Sequence, residues 1–102
     1  MRRGEVWWLE VPDAGRRPVC ILTRKAAIDV LTSVLVAPAT RTIRDIPTEV
    51  RLTKRDGMPS ACVLSFDNLV TVPKAFLTKR ITHVPEAKLP ELCEALRAAT
   101  GC

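Results

Sequence analysis

The sequence predicts a mainly β fold of the α+β class, a small antiparallel β-barrel with one C-terminal helix. Three observations predict it: the chain has only 102 residues, short apolar runs recur between turn residues, and helical periodicity occurs only near the end. A chain of this length is expected to form a single domain, residues 1–102, that buries about 65% of its unfolded surface. Such a core needs no disulfide or metal ion.

Six short apolar runs form the predicted strands, and turn residues separate them. The strongest turn signal is Asp56-Gly57, between the fourth and fifth runs, because this dipeptide is typical of tight connections. A second turn is predicted at Pro12–Gly15. The predicted strands are Glu5–Val11, Val19–Thr23, Ser33–Ala37, Thr48–Thr53, Ala61–Phe66 and Arg80–Val84.

The last predicted element is an amphipathic helix from Glu86 to about Ala99. Its apolar positions recur with the spacing i, i+3, i+4 and i+7, which predicts one face packed against the barrel. Pro90 is tolerated only in the first turn, so the regular helix is expected to start at about Ala87. The apolar face consists of Leu89, Leu92, Cys93, Leu96 and Ala99.

The chain is basic, and its excess positive charge lies outside the predicted helix. It has 16 Lys and Arg, 11 Asp and Glu, and a formal net charge of +5. Residues 1–85 carry 14 of the basic and 8 of the acidic residues. A basic body predicts a polyanionic partner, nucleic acid before membrane, with ordinary solubility charge as the alternative. A single histidine, His83, excludes a two-histidine catalytic pair within one chain, and we expect it to be structural.

The four cysteines fit neither a zinc site nor a disulfide framework, because no two have CxxC spacing. The N-terminus lacks the apolar stretch of a signal peptide, and no run reaches the ~18 apolar residues of a membrane span. We therefore expect a cytoplasmic protein with reduced thiols, no metal and no membrane contact. Cys20, Cys62 and Cys93 are predicted to be buried, and Cys102 to be reactive.

Trp7 and Trp8 are adjacent in the first predicted strand, so their side chains are expected to point to opposite faces of the sheet. One of them can join the core. The other is expected to be exposed, partly covered by the helix or a loop, or buried by a partner, since Trp is enriched at such contacts.

Two polar segments adjoin the predicted strands. In the first, Arg16 and Arg17 precede Pro18, which restricts Arg17 to extended geometry and would hold its side chain at the edge of the barrel. A guanidinium there can bind phosphate through two parallel hydrogen bonds. In the second, residues 37–44, hydroxyls and guanidiniums alternate on a loop and could bind a phosphodiester. An ordinary charged surface and a polar turn are the alternatives.

Six segments, which include these two and follow one another along the chain, resemble the MazF/PemK family of toxin endoribonucleases. These enzymes are the toxin halves of toxin–antitoxin pairs. The resemblance covers essentially the whole chain and rests on an ordered set of segments rather than on one motif. The segments are RRGEVWWLEV, RRPVCILTR, VLVAPATRT, IPTEVRL, ACVLSFDNLVTVPKAFLTKRITHV and LCEALRAATG.

The resemblance implies an SH3-like barrel that forms a homodimer and binds RNA in a groove across the dimer. It implies sequence-specific cleavage of single-stranded RNA, without metal or cofactor, to 2′,3′-cyclic phosphate and 5′-hydroxyl ends. The result would be inhibition of translation and growth. A cognate antitoxin is also implied, and we expect it to cover the basic groove with an acidic and apolar tail.

The resemblance places the family's essential arginine at Arg17 and its essential threonine at Thr40, with Thr42 as the alternative. Asn68 matches a segment that contributes base contacts in relatives. A guanidinium, whose pKa exceeds ~12, is an unsuitable general base. Two sources of the cleavage rate therefore remain open: positioning of the RNA 2′-hydroxyl, and proton donation by Arg17 acting as a general acid. The predicted RNA-binding residues are Arg16, Arg41, Thr42, Arg44 and Asn68.

The chain departs from the family in its first connection, residues 11–16, which is several residues shorter than usual. Asp13 is the candidate for the acidic residue often found there. Two alternatives to the nuclease are a non-catalytic toxin of the same fold that poisons DNA gyrase through its C-terminal helix, and a degenerate member that only binds its antitoxin. Arg17 and Thr40 favour the nuclease, because a gyrase poison does not need them.

Overall fold

The computed structural model describes all residues, 1–102, and contains seven strands, two α-helices and four 3₁₀ turns. The strands are β1 (Glu5–Val11), β2 (Gly15–Ile21), β3 (Ser33–Thr40), β4 (Glu49–Leu52), β5 (Cys62–Ser65), β6 (Val70–Pro73) and β7 (Leu77–His83). The helices are α1 (Lys25–Ile28) and α2 (Leu89–Thr100), and the 3₁₀ turns are Lys54–Asp56, Phe66–Asn68, Lys74–Phe76 and Glu86–Lys88. Neither helix combines the length and apolar character that crossing a membrane requires.

The strands form one antiparallel sheet in the order β4-β5-β3-β2-β1-β7. β3 organises this sheet, since β2 lies along one of its edges and two strands share the other. The first half of β3 pairs with β6, and its last two residues, Ala39 and Thr40, pair with β5. The sheet curls into a half-barrel and is followed by the C-terminal helix, which confirms the predicted mainly β fold.

Two apolar clusters lie on opposite faces of the sheet, because successive side chains of a strand alternate between its faces. The first cluster includes Val6 and Phe66 and is covered by α2 through Leu92. The second includes Val19 and is covered in part by α1 through Ile28. The sheet is therefore buried on both faces over its centre.

The second predicted strand, Val19–Thr23, is wrong at both ends, since β2 begins at Gly15 and ends at Ile21. β1 and β2 form a tight hairpin in which Val11 is opposite Gly15, and the ladder therefore extends through the two arginines. Pro18 is tolerated in this strand because the β2–β3 ladder begins one residue later, which leaves Pro18 at an edge.

The predictions for β3 and β7 have the right location and the wrong length. The third predicted strand, Ser33–Ala37, continues to Thr40 because the last residues of β3 pair with β5. The last predicted strand, Arg80–Val84, begins earlier, at Leu77, because β7 pairs along most of β1. Three of the six residues that extend these strands are polar, Thr40, Thr78 and Lys79, so the extensions do not continue an apolar run.

α1 and β6 have no counterpart in the prediction. α1 is a single turn without a side-chain N-cap, and burial of Ala27 and Ile28 holds it in place. β6 is four residues long and pairs only with β3. Elements this short depend on tertiary packing rather than on local propensity.

α2 begins at Leu89, two residues after the predicted start of the regular helix, and a 3₁₀ turn precedes it. Pro90 lies in the first turn, as predicted. Cys93 is exposed, so the prediction that it is buried is wrong. The buried face of α2 is centred on Leu92 and Ala95, and a residue next to Leu92 in the chain is rotated by about 100° away from that face.

Glu5 is the only carboxylate buried in the sheet. It accepts hydrogen bonds from the backbone N of Arg2 at 2.8 Å and from Nε1 of Trp7 at 3.1 Å, and it pairs with Nε of Arg80 at 3.0 Å. Burial alone would raise the pKa of Glu5, but these hydrogen bonds and the charges of the N-terminus and Arg80 together lower it. Glu5 thus stabilises the folded chain in its ionised form.

Replacing Glu5 with glutamine is expected to lower the free energy of unfolding at pH 7 by about 2 kcal/mol, because the ion pair and the charge-assisted hydrogen bonds are lost. The ionised carboxylate stabilises the fold fully above its ordinary pKa of 4.5, and this contribution disappears as the pH falls through the lower pKa of the folded state. Urea titrations at pH 7 and at pH 3 measure both effects. Glu94→Gln, at an exposed helix position, is the control, and equal midpoints for the two variants at pH 7 would contradict the prediction.

Candidate functional site

Arg17 and Thr40 lie on the neighbouring strands β2 and β3, just beyond the point where these strands stop pairing. The last pair of the β2–β3 ladder is Val19 with Pro38, and Arg17 and Thr40 each lie two residues past it. The hairpin with β1 fixes Arg17 from its other side, since Leu9 is its partner there. Strand pairing therefore brings two residues that are 23 positions apart in the chain to the same end of the β2–β3 pair.

Arg17 and Thr40 also stand at the junction of two clefts. The first cleft has a volume of about 360 Å³ and the second about 320 Å³, and both are lined by Arg17, Ala39 and Thr40. The first cleft is otherwise lined by Trp8, Arg16, Pro18, Arg41, Met58, Pro59, Ser60 and Cys62. The second cleft is otherwise lined by Pro38, Thr42, Arg44, Ser65 and Asn68. The structure thus brings together all seven predicted site residues.

The positive charge of this site is not neutralised within the chain. No acidic residue lines either cleft. The two ion pairs of the chain, Arg80 with Glu5 and Lys88 with Asp56, lie outside the two clefts. The four cleft arginines are exposed, and none is paired with a carboxylate: Arg16, Arg17, Arg41 and Arg44. Unpaired guanidiniums that converge on a concave surface favour binding of phosphate groups.

The hydroxyl of Thr40 accepts a hydrogen bond from the backbone N of Thr42 at 3.2 Å. A hydroxyl that accepts this bond keeps its own hydrogen free, so Thr40 can still donate to a ligand in the cleft. Thr42 lies on the exposed segment after β3 and lines only the second cleft. The geometry therefore favours Thr40 over Thr42 as the partner of Arg17.

Asn68 reaches the second cleft because β5 and β6 follow one another along the same edge of β3. The 3₁₀ turn Phe66–Asn68 connects these two strands. The side-chain amide of Asn68 donates to Oγ of Ser65 at 2.8 Å, which restrains its orientation. Asn68 thus presents a polar group beside Thr42 and Arg44, as expected for a base-contacting residue.

Asp13 does not lie in either cleft. It occupies the tip of the β1–β2 hairpin with a positive φ of 64° and lines a shallow depression with Glu10 and Arg16. The hairpin connection is too short to bring its carboxylate over Arg17 and Thr40. The structure therefore gives Asp13 no place beside them.

One wall of the first cleft lies on the β4–β5 connection and consists of Met58, Pro59 and Ser60, which no sequence pattern had marked as site residues. This wall is tied down at Asp56, whose carboxylate accepts from the backbone N of Thr53 at 2.8 Å and pairs with Nζ of Lys88 at 2.7 Å. The hydrogen bond from Lys88, followed by that from Thr53, lowers the pKa of Asp56. The turn signal at Asp56-Gly57 indicated the connection but not that it faces the site.

Gly57 allows the close approach that holds this wall. Its φ is 94°, and a Cβ at this position would lie 2.3 Å from Oγ1 of Thr82. That hydroxyl donates to the backbone O of Asp56 at 2.9 Å. Only glycine fits here, so the Asp-Gly turn is required both by the backbone and by the packing against β7.

Two of the four cysteine thiols are buried and have raised pKa values. Burial raises the pKa of Cys20 to about 12, and burial together with the charge of Asp56 raises the pKa of Cys62, which lies at the first cleft. Cys93 and Cys102 are exposed. Neither buried thiol is suited to nucleophilic chemistry at neutral pH.

We expect a thiol reagent at pH 7.5 to modify two cysteines per chain quickly, Cys93 and Cys102, and the other two only after denaturation. Absorbance of the released chromophore gives the stoichiometry. Cys93→Ser should lower the fast count from two to one. Modification of Cys20 at the rate of Cys102 would contradict the prediction.

The sequence is similar to known proteins over nearly its whole length. Residues 2–100 match the family of PemK-like, MazF-like toxins of type II toxin–antitoxin systems. The probable endoribonuclease MazF2 of Mycobacterium tuberculosis is 45% identical over 103 residues and covers 100% of both chains. The probable endoribonuclease MazF5 of the same species is 41% identical and covers 98% of this chain and 93% of the relative.

Two solved structures of toxins or endoribonucleases have a similar fold. The Mycobacterium tuberculosis toxin MazF-mt6 superposes with a TM-score of 0.88 at 34% identity, and the match covers 95% of this chain and 96% of that one. A mycobacterial endoribonuclease in complex with its cognate antitoxin superposes with a TM-score of 0.89 at 27% identity, over 99% and 95% of the two chains. The chain therefore belongs to the family of PemK-like, MazF-like toxins of type II toxin–antitoxin systems.

Proposed function

We propose that this chain is the endoribonuclease toxin of a toxin–antitoxin pair and that it cleaves single-stranded RNA at a short sequence. Cleavage leaves a 2′,3′-cyclic phosphate and a 5′-hydroxyl and inhibits translation and growth. One observation carries the proposal: Arg17 and Thr40 together line two basic clefts that no acidic residue lines. The endoribonuclease relatives at 41–45% identity support the same activity.

The cleft residues are suited to stabilising charge at phosphorus. The RNA 2′-hydroxyl gives its proton to solvent water and attacks phosphorus. The bond from phosphorus to the 5′-oxygen breaks, and that oxygen takes up a proton. Arg17 and Thr40 donate hydrogen bonds to the non-bridging oxygens, where negative charge develops. A guanidinium is protonated at neutral pH, so Arg17 can also give a proton to the leaving oxygen and then regain one from solvent.

No side chain of either cleft is a carboxylate or an imidazole. The clefts therefore lack the groups that usually act as general base near neutral pH, and also the oxygen ligands that Mg²⁺ prefers. Holding the 2′-hydroxyl in line with the leaving oxygen must then supply a large share of the rate. We propose a metal-independent reaction on this basis.

We further propose that the chain acts as a homodimer in the cytoplasm and that a cognate antitoxin inhibits it. A related mycobacterial endoribonuclease has been solved with its antitoxin. An acidic and apolar antitoxin tail is complementary to the unpaired arginines and the half-exposed Trp8 of the first cleft. The gyrase-poisoning alternative receives no support, since the curated relatives named above are endoribonucleases.

The test is incubation of the purified protein with a long single-stranded RNA in EDTA, followed by mapping of the cleavage ends. Discrete fragments that share a short sequence are expected, with 5′-ends that a kinase labels without prior phosphatase treatment. Intact RNA would contradict the nuclease. If the RNA stays intact and gyrase supercoiling is inhibited, the protein is a gyrase poison, and if neither occurs, it only binds its antitoxin.

A further inference from the structure

Trp8 lines the first cleft, and the proposed reaction gives it no role. β1 directs the two tryptophans to opposite faces, as predicted from their adjacency. Trp7 packs against the second apolar cluster and donates Nε1 to Glu5, which accounts for its position. Trp8 instead lines the cleft that also contains Arg17 and Thr40, and it is half-buried there.

Arg16 lies over the ring of Trp8, with its Cζ 4.2 Å from the ring centroid. This is a cation–π distance, and it restrains a side chain that would otherwise be flexible. Arg16 is exposed and makes no ion pair, so the charge of the stacked guanidinium remains available. Trp8 and Arg16 therefore form a layered surface at the first cleft, which we call the Trp8–Arg16 platform.

The β1–β7 ladder is irregular on both sides of the tryptophans. Its register shifts between Val6 and Trp7 and again between Trp8 and Leu9. Such bulges increase the local twist and change the direction of side chains, and they are common next to active sites. The residue of β7 opposite Trp8 is Lys79, an exposed cation without an ion-pair partner. Positive charge thus continues beyond the platform.

We propose that the Trp8–Arg16 platform binds one nucleobase of the RNA, next to the phosphate that Arg17 and Thr40 hold. The base stacks on the guanidinium–indole layer, as single-stranded bases do on arginine planes and aromatic rings. Stacking tolerates every base, so the platform contributes affinity rather than selecting the sequence. This inference rests on the proposed endoribonuclease activity.

The test uses short RNAs that contain the mapped cleavage sequence, each with an abasic nucleotide at one position near the scissile bond. For the native protein, one abasic position is expected to lower kcat/KM about tenfold, mainly through KM, because one stacked base is lost. Trp8→Leu should show a similar loss on the unmodified RNA and no further loss at that abasic position. Trp8→Phe should retain most of the stacking, and Trp7→Phe, on the opposite face, should behave as the native protein.

A binding measurement keeps the proposal testable even if Trp8→Leu is unstable. In Trp7→Phe, Trp8 is the only tryptophan, so its fluorescence should be quenched by an RNA that carries a 2′-deoxy nucleotide at the cleavage site and is not cleaved. The same RNA made abasic at the stacked position should quench less and bind about tenfold more weakly.

The outcomes separate the two proposals. If the native protein leaves RNA intact, the proposed function is wrong. If it cleaves RNA, but Trp8→Leu has the same abasic penalty as the native protein or Trp8 fluorescence does not respond to the bound base, the Trp8–Arg16 platform is wrong and the nuclease stands.

Discussion

Replacing Arg17 with alanine is expected to lower kcat/KM for single-stranded RNA by about 10³-fold. Arg17 is the one charged residue that lines both clefts together with Thr40, and it is bound to no carboxylate. Loss of a single preorganised donor to a developing oxyanion typically costs 10²- to 10³-fold, and a charged donor belongs at the upper end. Initial rates on an RNA with the mapped cleavage sequence measure the effect.

Arg24→Ala is the matched control for Arg17→Ala, because Arg24 is also exposed and lies before α1, outside both clefts. It should reduce the rate less than twofold. Arg17→Lys should recover only a small part of the activity, since an ammonium cannot form the paired hydrogen bonds of a guanidinium. Full cleavage by a folded Arg17→Ala protein would show that Arg17 is not a catalytic residue.

Replacing Thr40 with valine, which keeps the shape and removes the hydroxyl, is expected to lower kcat about 10²-fold. In the proposed reaction this hydroxyl donates to the phosphate, and its oxygen also accepts a hydrogen bond from the backbone N of Thr42. Since the interaction strengthens as charge develops, the loss should appear in kcat more than in KM. Single-turnover rates at saturating protein isolate this step.

Thr40→Ser restores the hydroxyl and should return activity to within a few-fold of the native protein. Thr71→Val, at an exposed position of β6, is the control for removal of a threonine hydroxyl elsewhere on the sheet. If Thr42→Val abolishes cleavage and Thr40→Val does not, Thr42 is the essential threonine and Thr40 is not. The double variant of Arg17 and Thr40 should lose less than the product of the single losses, because both act on the same phosphate.

Periodicity predicted β1, β4 and β5 closely, and it placed the C-terminal helix within a few residues. It failed where structure depends on a neighbour. β6 is a strand only because β3 offers an unpaired edge, and α1 is a helix only because Ala27 and Ile28 are buried. No local pattern encodes either condition. Cys93 was assigned to the core because it fits the i, i+4 spacing, but the buried face of α2 is narrower than that spacing allows.

The candidate site, like the fold, could be predicted from the sequence only in part. The resemblance located Arg17 and Thr40, but their meeting depends on the register of two strands that were predicted too short. The wall formed by Met58, Pro59 and Ser60 could not be predicted, since it is brought to the cleft by contacts of Asp56 with Lys88 and Thr82. Trp8 could be identified only as one of two tryptophans facing opposite ways. Its place beside Arg16 requires the hairpin register, in which Arg16 is opposite Glu10.

The proposed catalytic residues and the proposed RNA-binding residues lie in different kinds of structure. Arg17 and Thr40 belong to strands whose register cannot slip by one residue without turning every side chain to the other face. Arg41, Thr42, Arg44 and Asn68 lie on connections, which accept substitutions and insertions far more readily. Under the proposed function, substitutions in these connections would change which RNA sequence is bound, while the residues proposed to act at the phosphate stay in place on the strands.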